Sequence, residues 1–414
     1  MLKVAIIIIG DEILLGRVAD TNSGVIARAM DAAGCRTVSV TTVGDEETSI
    51  REAVESALGS ADLVFTTGGL GPTKDDITKH VLLNIFGGSL IRDDAVTQNI
   101  EKIFEGRNLK LNRLTLDQAL VPSTAHIIQN RFGTAPIMVF HKDSKFLVSM
   151  PGVPNEMEGS LPYVLKYLST KISIDTVARH STFVVTGLAE SALALRLEDF
   201  EKSLPITYKL AYLPDTSVIK LRLDAYDDLD RFEYYENLLN RTLGEIRELH
   251  ILGIGEKSLG QLVVERLATK GQTLATAESC TGGNIARTIT GVAGASTVFN
   301  GGAVTYSNSA KTNILGVGSE TLKTYGAVSR QVVVQMAEGA CNEFSTDYAV
   351  ATSGIAGPGG GTLEKPVGTV WIAVKSPSGV VAECYHFPGN RNQVIARTTT
   401  TALIGILKSL KPIL

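Results

Sequence analysis

Leu63-Val64-Phe65-Thr66-Thr67-Gly68-Gly69-Leu70-Gly71-Pro72-Thr73-Lys74-Asp75-Asp76 is the stretch from which the fold is read. Apolar and β-branched residues run straight into a glycine-rich turn, and acidic residues of the kind that open a helix follow. A strand, a glycine turn and a helix in that order make the geometry in which backbone N–H groups cradle phosphate. The turn is not a Walker A loop, because Lys74 lacks the preceding glycine, and it is not GxGxxG.

The flanking sequence extends the pattern. Residues 4–9, 36–43 and 146–150 read as further strands, and 22–33 and 47–58 have helical spacing. Residues 1 to about 165 therefore predict a mostly parallel sheet with helices on both faces. The run at 4–9 does not alternate, as expected of a strand covered on both sides. It is too short for a membrane span or signal peptide and is followed by Gly10, Asp11 and Glu12.

From 171 to about 250 the reading changes to a small α+β module: a strand at 181–185, a helix at 188–204, strands at 207–213 and 217–225, and a helical segment at 227–248. The element order suggests a KH-like fold, but no GXXG clamp and no aromatic stacking set is visible, so RNA binding is not expected. A second α/β pattern begins at Gly253, with helices at 258–270 and 393–410 and strands at 273–277, 302–306, 348–353 and 368–374. The domain boundaries expected are thus 1–168, 169–252 and 253–414.

Composition narrows the function classes. The 414 residues are 44% hydrophobic and 20% charged, an ordinary globular mixture of two or three domains. The net charge is −4 and no long basic block occurs, which argues against a nucleic-acid binder and a membrane surface. Cys35, Cys280, Cys341 and Cys384 are widely separated, without CxxC, and predict reduced, mostly buried thiols in a cytoplasmic protein.

Three strand ends of the last domain carry chemistry. In Ala277-Glu278-Ser279-Cys280-Thr281-Gly282-Gly283 a strand passes into a helix, where a serine is exposed beside free N–H groups that could stabilise an anion or oxyanion. Gly282 and Gly283 would let a substrate approach the backbone. Ser279 could equally be a helix cap, and Cys280 is a second possible nucleophile. In Val304-Thr305-Tyr306-Ser307-Asn308-Ser309-Ala310-Lys311, Lys311 could serve as the serine's base, because burial lowers a lysine pKa, or could be a solvated surface lysine. The third patch, Ala351-Thr352-Ser353-Gly354-Ile355-Ala356-Gly357-Pro358, offers a hydroxyl and a glycine turn as hydrogen-bond donors, or else a flexible loop.

These motifs, with Lys365-Pro366-Val367-Gly368-Thr369-Val370-Trp371, resemble the deamidase domain of the CinA (competence/damage-inducible) family over residues 256–414. The resemblance implies an amidohydrolase that converts nicotinamide mononucleotide to nicotinate mononucleotide and releases ammonia, without a cofactor. It implies Ser279 as nucleophile, Lys311 as base and Tyr306 in support of the base. It further implies Ser353 where relatives carry threonine, Arg391 on the substrate phosphate, and Thr281, Gly282, Gly283 and Gly354 at the substrate.

At the other end of the chain, Asp75 and Asp76 in the first helical turn are hard oxygen ligands for a divalent cation, or simply carboxylates favoured by the helix dipole. Asp11 and Glu12 after the first strand, and Glu156 in Met150-Pro151-Gly152-Val153-Pro154-Asn155-Glu156-Met157, would share that sheet edge. With Asp20-Thr21-Asn22, these segments resemble the molybdopterin-binding-like α/β/α domain that opens CinA proteins. The resemblance implies a pyrophosphatase that cleaves ADP-ribose to AMP and ribose 5-phosphate, with Gly68, Gly69, Gly71 and Thr73 on the phosphates. It implies a divalent metal (magnesium, manganese or cobalt), with potassium as a further ion, at Asp75, Asp76, Asp11, Glu12 and Glu156. A homodimer is the expected assembly and small nucleotides are the expected partners. The rival expectation is a nucleotide- or molybdopterin-binding protein in which one or both sites do not turn over.

Overall fold

The structure, a computed structural model, describes residues 1–106, 110–172, 178–226 and 229–410. The chain divides into two compact units, Met1–Ala178 and Arg179–Leu414.

In the first unit the strands are β1 (Lys3–Ile9), β2 (Arg36–Val43), β3 (Leu63–Thr67), a short pair β4 (Leu90–Arg92) and β5 (Leu120–Pro122), then β6 (His126–Ile128), β7 (Ile137–Lys142) and β8 (Lys145–Met150). The main sheet has the order β2-β1-β3-β8-β7-β6. Its first four strands are parallel, as the sequence predicts, and β7 and β6 return antiparallel.

The unbroken apolar run explains the layering. Val4, Ile6 and Ile8 of β1 point into one core with Ile26 and Met30 of the helix Asn22–Ala32 and Met157, Leu161 and Val164 of the helix Pro154–Ser169. Ala5, Ile7 and Ile9 point into the opposite core with Ile50 and Val54 of Glu47–Ser60 and Val81 and Leu82 of Thr78–Phe86. Period-two side-chain alternation feeds two cores from one strand, so neither face can be polar. Burying each such isoleucine is worth about 1.5–3 kcal/mol. The β7–β8 hairpin is not anticipated by the sequence reading. Its two-residue turn, Asp143-Ser144, takes positive φ at both positions without the glycine that usually marks such a turn.

The second unit contains two sheets. The smaller is built from β9 (Ala178–Thr186), β10 (Tyr208–Asp215), β11 (Val218–Tyr226) and β12 (His250–Ile254), in the order β10-β11-β9-β12. The helices Glu190–Ser203 and Phe232–Glu245 pack onto it through Leu193, Leu197, Phe232, Leu239 and Leu243. This is the expected α+β module. The expected start of its last helix, at 227, lies outside the described residues. Strand β12 was not expected, because His-Ile-Leu-Gly-Ile is short and its register with β9 shifts between Ile251 and Gly253.

The larger sheet consists of β13 (Leu274–Glu278), β14 (Phe299–Val304), β15 (Tyr348–Gly354), β16 (Thr369–Ser376) and β17 (Gly379–His386), ordered β14-β13-β15-β16-β17. Strand β13 is parallel to both β14 and β15, whereas β16 and β17 are antiparallel additions. The helices Leu259–Lys270, Asn284–Thr290 and Arg391–Ser409 cover one face, and Asn308–Leu315 and Arg330–Phe344 cover the other. Strand β17 and the helices between residues 308 and 344 go beyond the sequence expectation. Val184, Val218 and Leu252 of the small module join the first of these cores, so module and domain share buried surface.

Cys35, Cys280 and Cys341 are buried, Cys384 is exposed, and all four are free thiols. Among the described residues no helix is long and apolar enough to cross a membrane.

Candidate functional site

Parallel pairing brings the strand ends of the last domain together. Glu278 of β13 is in register with Val304 of β14 and with Thr352 of β15. The next residue, Ser279, donates its N–H to the Thr352 carbonyl at 3.0 Å, and Thr305 donates its N–H to the Glu278 carbonyl at 2.8 Å. The sequence reading put Lys311 at a strand end. It lies instead inside the helix Asn308–Leu315, which opens on the Ser307 side chain capping Ala310 N–H. That first turn folds Lys311 back under the strand ends, where it is 1% exposed.

Lys311 Nζ stands 3.1 Å from Ser279 Oγ. The same nitrogen donates to the Thr305 carbonyl at 2.8 Å and reaches the Tyr306 carbonyl at 3.4 Å. Burial holds its pKa below the ordinary lysine value, because desolvation disfavours the ammonium. A neutral amine has two N–H donors and one lone pair. With two carbonyls taking the donors, the lone pair is left for the Ser279 hydroxyl.

Cys280 is buried and its thiol is pushed up to about 12, chiefly by burial. A thiol so far from ionisation is a poor nucleophile near neutral pH. Of the two candidates, Ser279 therefore has the lysine nitrogen at hydrogen-bonding distance, whereas the Cys280 thiol is bonded to Thr352 and held far from ionisation.

Other expectations need correction. The amides of the helix Asn284–Thr290 do not point free at the serine. The buried Glu278 side chain accepts from Gly283 N–H at 3.0 Å, Ile285 N–H at 3.1 Å and Ala286 N–H at 2.8 Å, and the Thr281 carbonyl takes Asn284 N–H at 3.1 Å. Glu278 is a residue the sequence reading passed over, since a carboxylate one position before a serine has no spacing signal of its own.

The Tyr306 hydroxyl does not touch the base. It accepts from Arg391 Nη2 at 2.9 Å, while Arg391 Nη1 donates to the Gly357 carbonyl at 2.9 Å. Only the Tyr306 carbonyl faces Lys311. Ser353 continues the face of β15 that carries Ala349 and Ala351, the face shared with Ala277 of β13 and with the helix of Lys311, and it donates to the Ala327 carbonyl at 2.7 Å. The preceding residue faces the other core, and its Thr352 Oγ1 lies 2.8 Å from Thr281 Oγ1. Strand alternation sets residues 352 and 353 on opposite sides of β15.

Gly354 is required by packing: a Cβ there would lie 2.8 Å from the Thr369 carbonyl oxygen of β16. Gly282, at φ +63°, has open space where a Cβ would stand, so the backbone beside Ser279 is approachable. Gly283 follows at φ +95°.

In the first unit the glycine turn is folded onto the sheet. Gly68 takes φ +113°, and a Cβ there would meet the Ile9 carbonyl oxygen at 2.0 Å. Gly69, at φ +64°, lies against Thr78. The helix starts only at Thr78, so Asp75 and Asp76 belong to the turn and not to a first helical turn. Asp76 closes the turn on itself, accepting from Gly71 N–H at 2.7 Å, Thr73 N–H at 2.9 Å and the Thr73 hydroxyl at 2.7 Å. Asn22 secures the neighbouring loop, donating to Thr67 Oγ1 and to the Gly152 carbonyl.

The five carboxylates expected to hold a metal are not gathered into a cage. Glu156 accepts from Asn130 Nδ2 at 2.7 Å and packs onto Gly133, and Asp76 is committed to its own turn. Asp11 exchanges contacts with Asp45, accepting from Asp45 N–H while its own N–H reaches the Asp45 carboxylate. Among the described residues no group of three or more His, Cys, Asp or Glu is placed to hold a metal ion. The carboxylates do share a field. Burial raises the Asp45 pKa, and the charges of Asp11, Glu12 and Asp76 add to the rise. Asp45 is a member of this edge that the sequence reading missed.

Comparison with known proteins agrees with this division. Residues 256–410 match the CinA C-terminal domain, and residues 5–170 match a probable molybdopterin binding domain. A CinA-like protein of Flavobacterium psychrophilum is 39% identical over 422 residues, covering 99% of this chain and 99% of the relative. A putative competence-damage inducible protein of Caldicellulosiruptor saccharolyticus is 38% identical over 411 residues, covering 98% of each. Among solved structures, competence/damage inducible protein CihA from Agrobacterium tumefaciens is 46% identical and covers 37% of this chain and 94% of its own, with a TM-score of 0.36.

Proposed function

The chain belongs to the CinA family, and from that premise we propose that its last domain is an amidohydrolase acting on nicotinamide mononucleotide. One observation carries this reading: a buried amine of lowered pKa stands 3.1 Å from a serine hydroxyl. Lys311, as the free base, takes the Ser279 proton as Oγ attacks the carboxamide carbon. The carbon–nitrogen bond then breaks, Lys311 returns the proton to the departing nitrogen, and ammonia leaves. Water attacks the acyl-enzyme, its proton passes through Lys311 to Ser279 Oγ, and nicotinate mononucleotide is released. Arg391, with two of its N–H groups engaged by Tyr306 and Gly357, is the proposed partner of the 5′-phosphate.

For the first domain the reading is a nucleotide pyrophosphate site at Gly68–Gly71, with ADP-ribose as ligand and cleavage to AMP and ribose 5-phosphate as the activity. The positive-φ turn after β3 supports it. Binding without turnover is the rival here, and it is favoured by the commitment of Asp76 and Glu156 to their own loops.

The test is to incubate the whole protein with nicotinamide mononucleotide and with ADP-ribose, with and without magnesium, and to follow ammonia, AMP and ribose phosphate. Ammonia released by the wild type and absent with Ser279→Ala supports the deamidase. Ammonia released equally by both ends it. ADP-ribose that binds but is not cleaved with magnesium present assigns the first domain to binding.

A further inference from the structure

Among the described residues, Glu278 is the one charged residue buried in the last domain's core with no part in the chemistry above, and it is 0% exposed. Its side chain gathers amides on the far side of the glycine turn, from Gly283, Ile285 and Ala286. Its main chain does a second job. The Glu278 carbonyl holds Thr305 N–H at 2.8 Å, and the Thr305 carbonyl in turn holds Lys311 Nζ at 2.8 Å. Ser279 is covalently next to it. A single residue therefore touches both ends of the turn that presents the serine and the strand end that cradles the lysine.

The energetics favour this arrangement over a mere helix cap. A buried carboxylate needs its hydrogen bonds satisfied, and charge-assisted bonds to backbone amides are the strong kind. Three of them anchor the glycine half of the turn, where Gly282 and Gly283 both take positive φ and carry no side chain, while Ser279 and Thr281 are tied to Thr352 at the other half. An ordinary cap such as serine would satisfy one amide and leave the turn free to shift. A hydroxyl that wanders by 1 Å from its base loses much of its reactivity.

We infer that Glu278 is a positioning residue: its carboxylate and carbonyl together clamp the Ser279 turn to the Thr305–Lys311 cradle and hold nucleophile and base at bonding distance. This deepens the deamidase reading and rests on its dyad, not on the identity of the substrate. Glu278→Gln keeps the shape but can accept only on its carbonyl oxygen, and it turns an NH2 group toward backbone N–H groups.

Three measurements on the full chain test the inference. Covalent labelling of Ser279 by phenylmethylsulfonyl fluoride, followed by mass spectrometry, reports dyad reactivity without any nucleotide. It should slow by about tenfold or more in Glu278→Gln. Turnover of nicotinamide mononucleotide should show kcat falling by a similar factor, with KM within about threefold and the deficit per folded molecule persisting at low temperature. A purely structural role would instead lower only the folded fraction. Wild-type labelling and turnover rates in folded Glu278→Gln would overturn the inference.

Amide hydrogen exchange on the wild type covers the case in which the variant does not fold. The Gly283, Ile285 and Ala286 amides should be strongly protected, and open-amide exchange rates at those three would overturn the clamp. If the wild type is labelled at Ser279 but releases no ammonia from nicotinamide mononucleotide, the substrate reading fails while the labelling and exchange arms still decide the role of Glu278.

Discussion

Lys311 Nζ meets Ser279 Oγ at 3.1 Å although the two residues come from different helix–strand junctions. The lysine reaches the serine because Thr305 and Tyr306 supply carbonyls on the near side of its helix, and because the domain core leaves it no route to solvent. A buried amine in this setting has a pH signature. Activity needs the free base, so kcat/KM should rise with pH through the folded-state pKa of Lys311, below the ordinary 10.5. Lys311→Met should lose about a thousandfold in kcat, measured as ammonia release, and Lys311→Arg should not restore it, because a guanidinium does not give up its proton.

Stability should rise with pH as activity does, but Lys311→Met should affect the two with opposite sign. With the folded pKa lowered, the unfolded chain binds more protons between the folded pKa and 10.5, so wild-type stability rises with pH across that window. Lys311→Met removes the cost of burying an ammonium. It should therefore be more stable than wild type at pH values below the folded pKa, with the difference shrinking toward 10.5. Urea melts at two pH values check the sign.

Cys280→Ala should keep deamidase activity within about threefold, since burial pushes its thiol pKa up to about 12. Iodoacetamide at pH 8 should leave the folded enzyme active. Rapid inactivation by alkylation at Cys280 would return the cysteine to contention.

Tyr306→Phe separates two roles for the tyrosine. Because the hydroxyl is bound to Arg391 and not to Lys311, its loss should change kcat by less than about fivefold. The KM for nicotinamide mononucleotide should rise as Arg391 loses a partner. A kcat loss on the scale of Lys311→Met would show that the hydroxyl reaches the base during turnover.

In the first unit, Gly68→Ala should destabilise by about 3 kcal/mol or more, since it adds a side chain at positive φ against a backbone carbonyl. Asp76→Ala should cost about 1–2 kcal/mol by freeing the amides of Gly71 and Thr73. Denaturant unfolding of the whole chain, resolved by domain, measures both. ADP-ribose binding by calorimetry should disappear in Gly68→Ala if the turn holds the pyrophosphate.

How much could be read in advance differs by element. Val4 to Ile9 announced a doubly covered strand because every position is apolar, and the glycines after Thr67 announced the turn. The β7–β8 hairpin gave no such notice, since Asp143-Ser144 is a polar pair without glycine. Ser279 and Lys311 were legible as a pair, whereas the bond of Ser353 to the Ala327 carbonyl was not, because it joins a strand end to a loop that no spacing in the sequence connects to it.

The carboxylates mark the boundary most clearly. Asp11, Glu12, Asp75, Asp76 and Glu156 all follow strands, and sequence order alone suggests that they converge. Where each side chain spends its hydrogen bonds is a matter of local partners: Gly71 and Thr73 for Asp76, Asn130 for Glu156. The sequence by itself determined which strands are buried and that the sheet of the first domain is mostly parallel, because apolar patterning and crossover connections admit few alternatives. Only the tertiary structure decided which residues face each other. Side-chain direction is fixed by register and by competition for nearby amides, and neither is written in the order of residues.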